Sequence, residues 1–555
     1  MSRLVVIGGG VSGLAAAVLA ARSGHSVDLL ERGEQVGGRA CRHESAGFTF
    51  DTGPSWYLMP EVFDRFLQMC GTTAGEELDL VGLDPGYRVF GPTATGFDAV
   101  DVPAGRRRVR ELFEALEPGS GPRLDAYLDS ASHTYTLALA HFLRTAFDRP
   151  ATLLTGDVLG ALPQLGSLLT ESMQDRIERT VEHRVLRQIL GYPAVFLASF
   201  PAGTPAIYHL MSHLDLVEGV QYPRGGMYTL VEALTRLARS AGVRLHTGHE
   251  ATTIVVDPPD RRGSARQQGE PARRRSHGPL PRGRAREVIA RSAAGLRVFP
   301  ADAVLAAADL HHVETRMLPR RWQSLPQRTW QRRDPGMGGL VVMAGVDRRL
   351  PALAHHNLFF TDAWERDFAQ VFGARAGGPP VATGRGLSVP TNVYVSATSR
   401  TDPTTAPAGG ENLFLLVPCP ADPSLTAGSP EVERIVDAVL DQVGEWADIP
   451  DLRASILTRQ VSAPGDHARQ WHAWRGTILG PAHTLGQSIF LRGGPRARKV
   501  ENLYYAGAFT APGVGLPMCL ISAENAIAAL ACDLDRPGPE DLLLRKHENG
   551  GHRAA

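Results

Sequence analysis

The hydrophobic pattern at the start of the chain predicts a strand, a tight turn, a helix and a second strand. Residues 4–7 (LVVI) form an apolar run that ends at Gly8, and the small apolar residues from Leu14 to Ala21 are typical of a buried helix. Gly24 ends that helix, and Val27–Glu31 has the composition of a second strand. This order is that of the βαβ unit in folds that bind dinucleotides.

The pattern becomes helical over residues 56–220, in segments such as Glu61–Met69 and Arg123–Phe147. Alternating strand candidates such as Leu340–Ala344 occupy a second long stretch, residues 311–465. We interpret both stretches as insertions into the dinucleotide-binding fold.

The last apolar elements are a strand that enters a glycine turn at Glu501–Ala508 and a helix from about Pro517 to Cys532. The polar tail, residues 536–555, is expected to be flexible. No stretch reaches the roughly 18 uninterrupted apolar residues of a spanning helix, so we expect any membrane contact to be peripheral.

Residues 257–286 are basic, rich in proline and glycine, and lack Phe, Tyr and Trp. Such a segment cannot bury much apolar surface, so we expect a disordered surface loop. A nucleic-acid-binding arm is the alternative, but 58 Lys and Arg residues are balanced by 58 Asp and Glu residues. We therefore expect no nucleic-acid partner.

The five cysteines are scattered without CxxC spacing. This arrangement favours neither a metal site nor a disulfide framework, and it indicates a reducing cytoplasm.

A glycine motif follows the first strand directly. Gly8, Gly10 and Gly13 have G-x-G-x-x-G spacing, with Val11 and Ser12 between the last two. Gly8 permits the tight turn, Gly10 lets the backbone approach a pyrophosphate, and Gly13 allows close packing of helix on strand. The N–H groups at the start of the helix then face the phosphates.

Acidic and basic residues after the second strand extend the cofactor site. Glu31 ends that strand, where a carboxylate can accept hydrogen bonds from ribose hydroxyls. Arg32 follows it, and Gly37-Gly38-Arg39 then places a guanidinium near a pyrophosphate. This run, together with the later Gly53-Pro54-Ser55, indicates FAD rather than NAD.

These motifs resemble the flavin amine oxidase and phytoene desaturase group, and the C-terminal pattern resembles the bacterial-type carotenoid desaturases. Tyr505–Ala508 and Pro512–Pro517 match the aromatic-x-Gly turn and the Pro-Gly-x-Gly-x-Pro segment of that family, and Tyr222–Met227 and His355–Leu358 are also similar to it. The resemblance implies further cofactor contacts at Ala251, Gly507, Ala508, Gly515, Leu516 and Pro517.

The predicted fold class is α/β. A Rossmann-like FAD-binding domain of the two-dinucleotide-binding type comprises residues 1–55, 221–310 and 466–535. Residues 56–220 and 311–465 are expected to form an inserted α+β substrate domain with a helical, membrane-associating part. The stretch Ala151–Leu169 is either an interfacial face of that part or an ordinary helix hairpin.

The resemblance implies desaturation of a long apolar polyene, a phytoene-like carotenoid, by an enzyme peripheral to the cytoplasmic face of a membrane. Two alternatives stay open: an FAD-dependent amine or protoporphyrinogen oxidase, and a flavin-free chaperone that binds isoprenoids. The oligomeric state is not predicted.

No catalytic residue can be assigned from the sequence. His209, His213, His355 and His356 are candidate bases, but a lone histidine is more often structural. No cluster of residues has the spacing of a metal site or of a nucleophile with its base.

Overall fold

The computed structural model describes residues 2–93, 96–145, 160, 165–259, 282–377, 387–488 and 491–550. Its strands are β1 (Arg3–Ile7), β2 (Ser26–Leu30), β3 (Arg42–Ser45), β4 (Phe48–Asp51), β5 (Leu80–Gly82), β6 (Tyr87–Thr93), β7 (Gly96–Val102), β8 (Gln221–Pro223), β9 (Arg244–His246), β10 (Glu250–Asp257), β11 (Arg284–Ser292), β12 (Gly295–Pro300), β13 (Ala303–Ala306), β14 (Gly338–Val346), β15 (His356–Phe359), β16 (Val393–Ser396), β17 (Glu411–Cys419), β18 (Ile456–Ser462) and β19 (Leu503–Tyr505).

The longer α-helices are Val11–Arg22, Pro60–Met69, Arg106–Leu116, Gly121–Leu137, Met173–Thr180, Arg184–Gly191, Tyr228–Ser240, Trp364–Phe372, Pro430–Trp446, Pro464–Trp471, Leu516–Leu534 and Pro539–Gly550. Shorter helical turns are Ala74–Glu77, Ala138–Phe142, Pro193–Phe196, Pro201–Gly203, Ala206–Leu210, His213–Glu218, Leu310–His312, Val313–Met317, Arg320–Trp322, Gln327–Trp330, Gly373–Ala376, Thr398–Arg400, Pro403–Thr405, Arg453–Ser455, Trp474–Gly476 and Leu485–Gln487.

A parallel sheet of five strands forms the first layer, in the order β19-β13-β1-β2-β9. β1 and β13 are almost wholly apolar because both faces of these strands are buried. The carboxyl ends of β1, β2, β13 and β19 meet at one edge of the sheet, which is where open α/β sheets bind their ligands. This is the predicted Rossmann-like arrangement.

Distant parts of the chain share the core of this layer. The helix Val11–Arg22 is buried from Val11 to Ala20 and packs against the helices Tyr228–Ser240 and Leu516–Leu534. Its alanines are small enough to permit this close approach of three helices. The N-terminal turn and the C-terminal glycine turn are thereby brought to the same edge of the sheet.

A mixed sheet of seven strands forms a second unit, in the order β18-β14-β17-β16-β15-β6-β7. β6 and β7 come from the first long insertion and the other strands from the second, and β6 joins them through parallel pairing with β15. Helices from both insertions pack into the same hydrophobic core as this sheet.

The structure corrects the bounds of two segments. Asp257 ends β10, and Arg284–Arg286 belongs to β11, so the predicted loop at 257–286 is shorter; its residues 260–281 lie outside the described residues. The arginines of β11 occupy its exposed positions while Ala285 is buried, so the prediction from composition omitted the first residues of the strand, Arg284–Arg286. In the tail predicted to be flexible, Pro539–Gly550 is helical and its Leu542 is buried.

One described helix, Leu516–Leu534, is long and apolar enough to cross a membrane by length and composition. Two thirds of its apolar window, 67%, is buried inside the fold, as in the core helix of a globular protein. Most of the candidate interfacial stretch, residues 151–159 and 161–164, lies outside the described residues.

Candidate active site

A cavity of about 800 Å³ begins at the carboxyl edge of the parallel sheet and continues between the two units. Seventeen of the eighteen predicted cofactor residues line it: Gly8, Gly10, Val11, Ser12, Glu31, Arg32, Gly38, Arg39, Gly53, Pro54, Ser55, Ala251, Gly507, Ala508, Gly515, Leu516 and Pro517. The remaining residue, Gly13, packs against the turn beneath them. A Cβ atom on Gly13 would lie 1.9 Å from the carbonyl oxygen of Gly8, so no larger residue fits there.

The first glycine turn presents backbone donors to the cavity. Gly8 has a φ of +99°, in the region that favours glycine, and Gly10 caps the helix Val11–Arg22 without a side-chain hydrogen bond. The N–H groups of the first helical turn therefore have no side-chain cap to compete with a ligand.

Glu31 is held rigidly beside this turn. Its Oε2 accepts a hydrogen bond from the Gly9 N–H at 2.7 Å, and its Oε1 accepts one from the Gly33 N–H at 2.7 Å. Each carboxylate oxygen keeps a second lone pair, so the side chain remains able to accept ribose hydroxyls.

Arg32 lies at the same end of the cavity but its guanidinium has protein partners. It donates from Nη1 to the carbonyl oxygen of Arg469 at 2.8 Å, and its Nε is 3.7 Å from a carboxylate oxygen of Glu250. It therefore ties the end of the helix Pro464–Trp471 to the sheet. Its role as a cofactor contact stays a prediction, because Arg32 also lines the cavity.

Arg39 is the strongest indication of an anionic ligand. Its Nε and Nη2 atoms are buried and have no hydrogen-bond partner among the described residues. Burial lowers the pKa of Arg39, and the neighbouring Asp309 opposes that shift. Burial also raises the pKa of Asp309 to about 6. A buried, unpaired guanidinium is costly, and a pyrophosphate would satisfy it with charge-assisted hydrogen bonds.

The C-terminal glycine turn forms another part of the cavity wall, next to Ser12 of the first turn. The Gly507 N–H donates to Ser522 Oγ at 2.9 Å, and Gly515, with a φ of +120°, caps the helix Leu516–Leu534 without a side-chain bond. Sequence reasoning missed Arg492, which is buried and donates from Nη2 to the Ala508 carbonyl at 2.7 Å. Burial lowers the pKa of Arg492 to about 10. No local motif marks it, because its acceptors lie in separate loops.

The rest of the cavity is apolar. Its lining on this side includes Trp56, Leu58, Met59, Tyr135, Phe142, Leu143, Leu165, Leu169, Tyr192, Val195, Phe196, Ile207, Leu210, Met211, Leu214, Met337, Phe414, Leu416, Ile478 and Leu479. Most of these residues come from the two long insertions. An elongated hydrocarbon can therefore bury its apolar surface along this wall.

None of the four histidines proposed as bases lines the cavity. Burial lowers the pKa of His209 to about 4 and that of His355 to about 3. His213 bonds Ser132 and Glu218, and His356 lies behind the wall. His483 does line the cavity, and its Nδ1 lies 3.0 Å from the carbonyl oxygen of Leu197.

Known proteins resemble this chain over nearly its whole length. The family model of flavin containing amine oxidoreductases matches residues 11–531. The chain is 34% identical to a carotenoid 3,4-desaturase of Haloarcula japonica, over 96% of this chain and 98% of that protein. It is 31% identical to a zeta-carotene-forming phytoene desaturase of Myxococcus xanthus, over 94% of this chain and 92% of that protein.

Solved structures share the fold at lower identity. An oxidoreductase from Methanosarcina mazei superimposes with a TM-score of 0.58 at 17% identity, covering 94% of this chain and 98% of the other. A putrescine oxidase double mutant gives a TM-score of 0.58 at 14% identity, with 96% and 99% covered.

The unpaired Arg39 guanidinium generates a direct prediction. Replacing Arg39 by Ala removes charge-assisted hydrogen bonds worth roughly 1.5–3 kcal/mol, which corresponds to a roughly ten- to hundredfold weaker FAD affinity. The affinity is measured by titrating apoprotein with FAD at fixed ionic strength. Arg107→Ala is the control, because Arg107 is 81% exposed and pairs with Glu111 on the surface. Equal affinities for the Arg39→Ala variant and the control would refute the assignment.

Proposed function

The chain belongs to the flavin-containing amine oxidoreductase family, and from that premise we propose that it desaturates a long apolar polyene, a phytoene-like carotenoid, with FAD as its cofactor. The observation that carries this proposal is the cavity that joins a dinucleotide-binding edge to a long apolar wall. Relatives at 34% and 31% identity over nearly the whole chain are named as carotenoid desaturases, which supports the same substrate class.

Different residues of the chain would bind the cofactor and the substrate in this reaction. Arg39 and the uncapped helix N-termini after Gly10 and Gly515 would hold the cofactor's anionic groups. When bound, FAD would supply the acceptor for a hydride from a carbon–hydrogen bond of the polyene. The apolar wall binds the polyene and excludes water, and each Å² of apolar surface that it buries contributes roughly 25 cal/mol.

The two insertions, residues 56–220 and 311–465, are proposed to act as the substrate domain, at the cytoplasmic face of a membrane. A polyene dissolves in bilayers, so a peripheral enzyme with a lipid-facing entrance receives it without exposing it to water. Leu485 and Leu491 are 52% and 60% exposed, close in sequence to the cavity residue His483, and they support a lipid contact at this place.

The alternatives fit the cavity less well. An ammonium substrate needs carboxylates, and Glu31, Glu250 and Asp309 lie at the cofactor end rather than along the apolar wall. A flavin-free chaperone would leave the Arg39 guanidinium without an anion.

Polyene turnover tests the proposed activity. The FAD-loaded protein, given a linear C40 polyene in liposomes, is expected to form products with longer conjugation, detected by chromatography and absorbance. Gly166 lines the cavity and is exposed, and a Cβ atom added to it would have no neighbour within 4 Å, so Gly166→Trp should narrow the opening of the cavity and reduce turnover while FAD stays bound. Gly75→Trp, at an equally open position away from the cavity, is the matched control. Oxidation of small amines without any polyene product would contradict the proposal.

Flotation with liposomes tests the membrane contact. The protein is expected to float with the vesicles, and Leu485→Asp with Leu491→Asp should return it to the dense fraction because two charges enter the lipid contact. Leu296→Asp with Leu457→Asp provides the control, since these leucines are 74% and 63% exposed elsewhere on the surface. A protein that stays in the dense fraction with every lipid composition, or equal behaviour of the two double variants, would exclude this contact.

A further inference from the structure

A chain of polar groups runs from the cavity wall into the interior. Ser55 Oγ lies 2.6 Å from the Tyr394 hydroxyl, and that hydroxyl lies 2.8 Å from Nδ1 of His356. Ser55 and Tyr394 line the cavity, whereas His356 is fully buried and stacks on Trp56 with ring centroids 5.0 Å apart. This is a directed contact between a cavity hydroxyl and a buried imidazole.

The Ser55–Tyr394–His356 series lies where the cofactor end of the cavity meets its apolar wall. Ser55 follows Gly53-Pro54, and a Cβ atom on Gly53 would lie 2.3 Å from the carbonyl oxygen of Arg39. Ser55 is therefore two residues from the backbone that packs against the anion-binding arginine. On its other side, Tyr394 adjoins the apolar wall through Leu416 and Tyr192.

The imidazole is available as a proton acceptor. Burial, reinforced by the neighbouring His355, lowers the pKa of His356 well below its ordinary value, so the ring is neutral and one nitrogen keeps a lone pair. The groups packed around it are Trp56, Tyr394 and His355, whose ring centroid is 4.4 Å away, and none of them carries a carboxylate. Its Nε2 has no partner among the described residues.

We propose that Tyr394 and His356 remove the proton in the desaturation, a role that rests on the polyene reaction proposed above. Desaturation breaks two neighbouring carbon–hydrogen bonds: one hydrogen leaves as hydride with its electron pair to the flavin, and the other leaves as a proton. The electron pair of the second bond becomes the new carbon–carbon double bond. The Tyr394 oxygen takes the proton as its own proton passes to Nδ1 of His356. After product release the imidazolium gives its proton back through Tyr394 and Ser55 to water that enters the cavity, and the imidazole is neutral again.

A weakly basic imidazole suffices for this step. Hydride loss leaves a carbocation, and a hydrogen on the adjacent carbon is then strongly acidic. A neutral base also avoids placing a permanent charge in an apolar wall, which would be costly. General base catalysis requires the right geometry first. Here that geometry is a hydroxyl at the cavity with a base directly behind it.

A rival relay exists at another part of the wall. The Tyr135 hydroxyl donates to Glu61, and Tyr135 also lines the cavity. It packs with Leu143, Met211 and Ile521 rather than beside the Gly53–Ser55 segment. The boundary position of Tyr394 is the reason for preferring it.

Anaerobic single turnover of the FAD-loaded protein with the C40 polyene in liposomes tests the relay. Tyr394→Phe removes the hydroxyl and keeps the ring, and it is expected to slow alkene formation roughly a hundredfold while polyene binding changes little. The normal solvent isotope effect of the wild type should disappear in this variant. His356→Asn keeps an acceptor but removes the base, so it should show the same loss and provides a second test if Tyr394→Phe does not fold. FAD occupancy and the flavin absorption spectrum report whether each site is intact.

Tyr127→Phe is the matched control. Tyr127 is a buried tyrosine outside the cavity, with Ser212 near its hydroxyl at 3.5 Å and His209 against its ring, so its removal should leave the rate within about twofold. Wild-type rates and isotope effects in folded Tyr394→Phe, or a comparable loss in Tyr135→Phe alone, would overturn the proposal while leaving polyene desaturation intact. A wild-type protein that binds FAD and converts no polyene would instead overturn the proposed function, and the relay with it.

Discussion

The buried guanidinium of Arg39 is the interaction on which the site depends. Two of its nitrogen atoms have no hydrogen-bond partner among the described residues, and its closest aromatic contact is the Trp471 ring, 5.8 Å away, in a region where burial already disfavours the charge. The described part of the chain offers no carboxylate in direct contact with it; Asp309 acts on it only as a nearby charge. An anionic ligand is therefore part of the stable state of this edge of the sheet. The uncapped helix N-termini at Gly10 and Gly515 point to the same requirement.

The second constraint is the apolar wall of the cavity. The cavity joins the polar edge to a wall built largely by two insertions that are far apart in the sequence. They share one sheet because β6 pairs with β15 in parallel. The proposed cofactor site and the proposed hydrocarbon site are thereby parts of one cavity.

Local motifs made much of this site predictable. The spacing of Gly8, Gly10 and Gly13 and the position of Glu31 depend on a single βαβ unit, so the sequence suffices to place them. The Rossmann-like layer followed from these residues, while the cofactor required Gly37–Arg39 and Gly53–Ser55 as well. The family followed from these motifs together with the C-terminal glycine pattern. The full extent of β11 was missed because its arginines alternate with buried residues, a pattern that composition alone does not reveal.

Long-range contacts were beyond sequence reasoning. The carbonyl that holds Arg32 is 437 residues away, and the partners of Tyr394 lie 339 and 38 residues from it. The sequence offers no recognisable partner for His356, and only the fold places the Tyr394 hydroxyl next to it.

The central claim is that cofactor and polyene occupy one continuous cavity. Titrating the FAD-loaded protein with a saturated long-chain isoprenoid hydrocarbon, which cannot react, tests it through the flavin absorption spectrum. A shared cavity predicts a saturable change in the flavin bands as water beside the ring is replaced by hydrocarbon, and loss of that change in Gly166→Trp. Saturable binding of the hydrocarbon with an unaltered flavin spectrum would contradict the account.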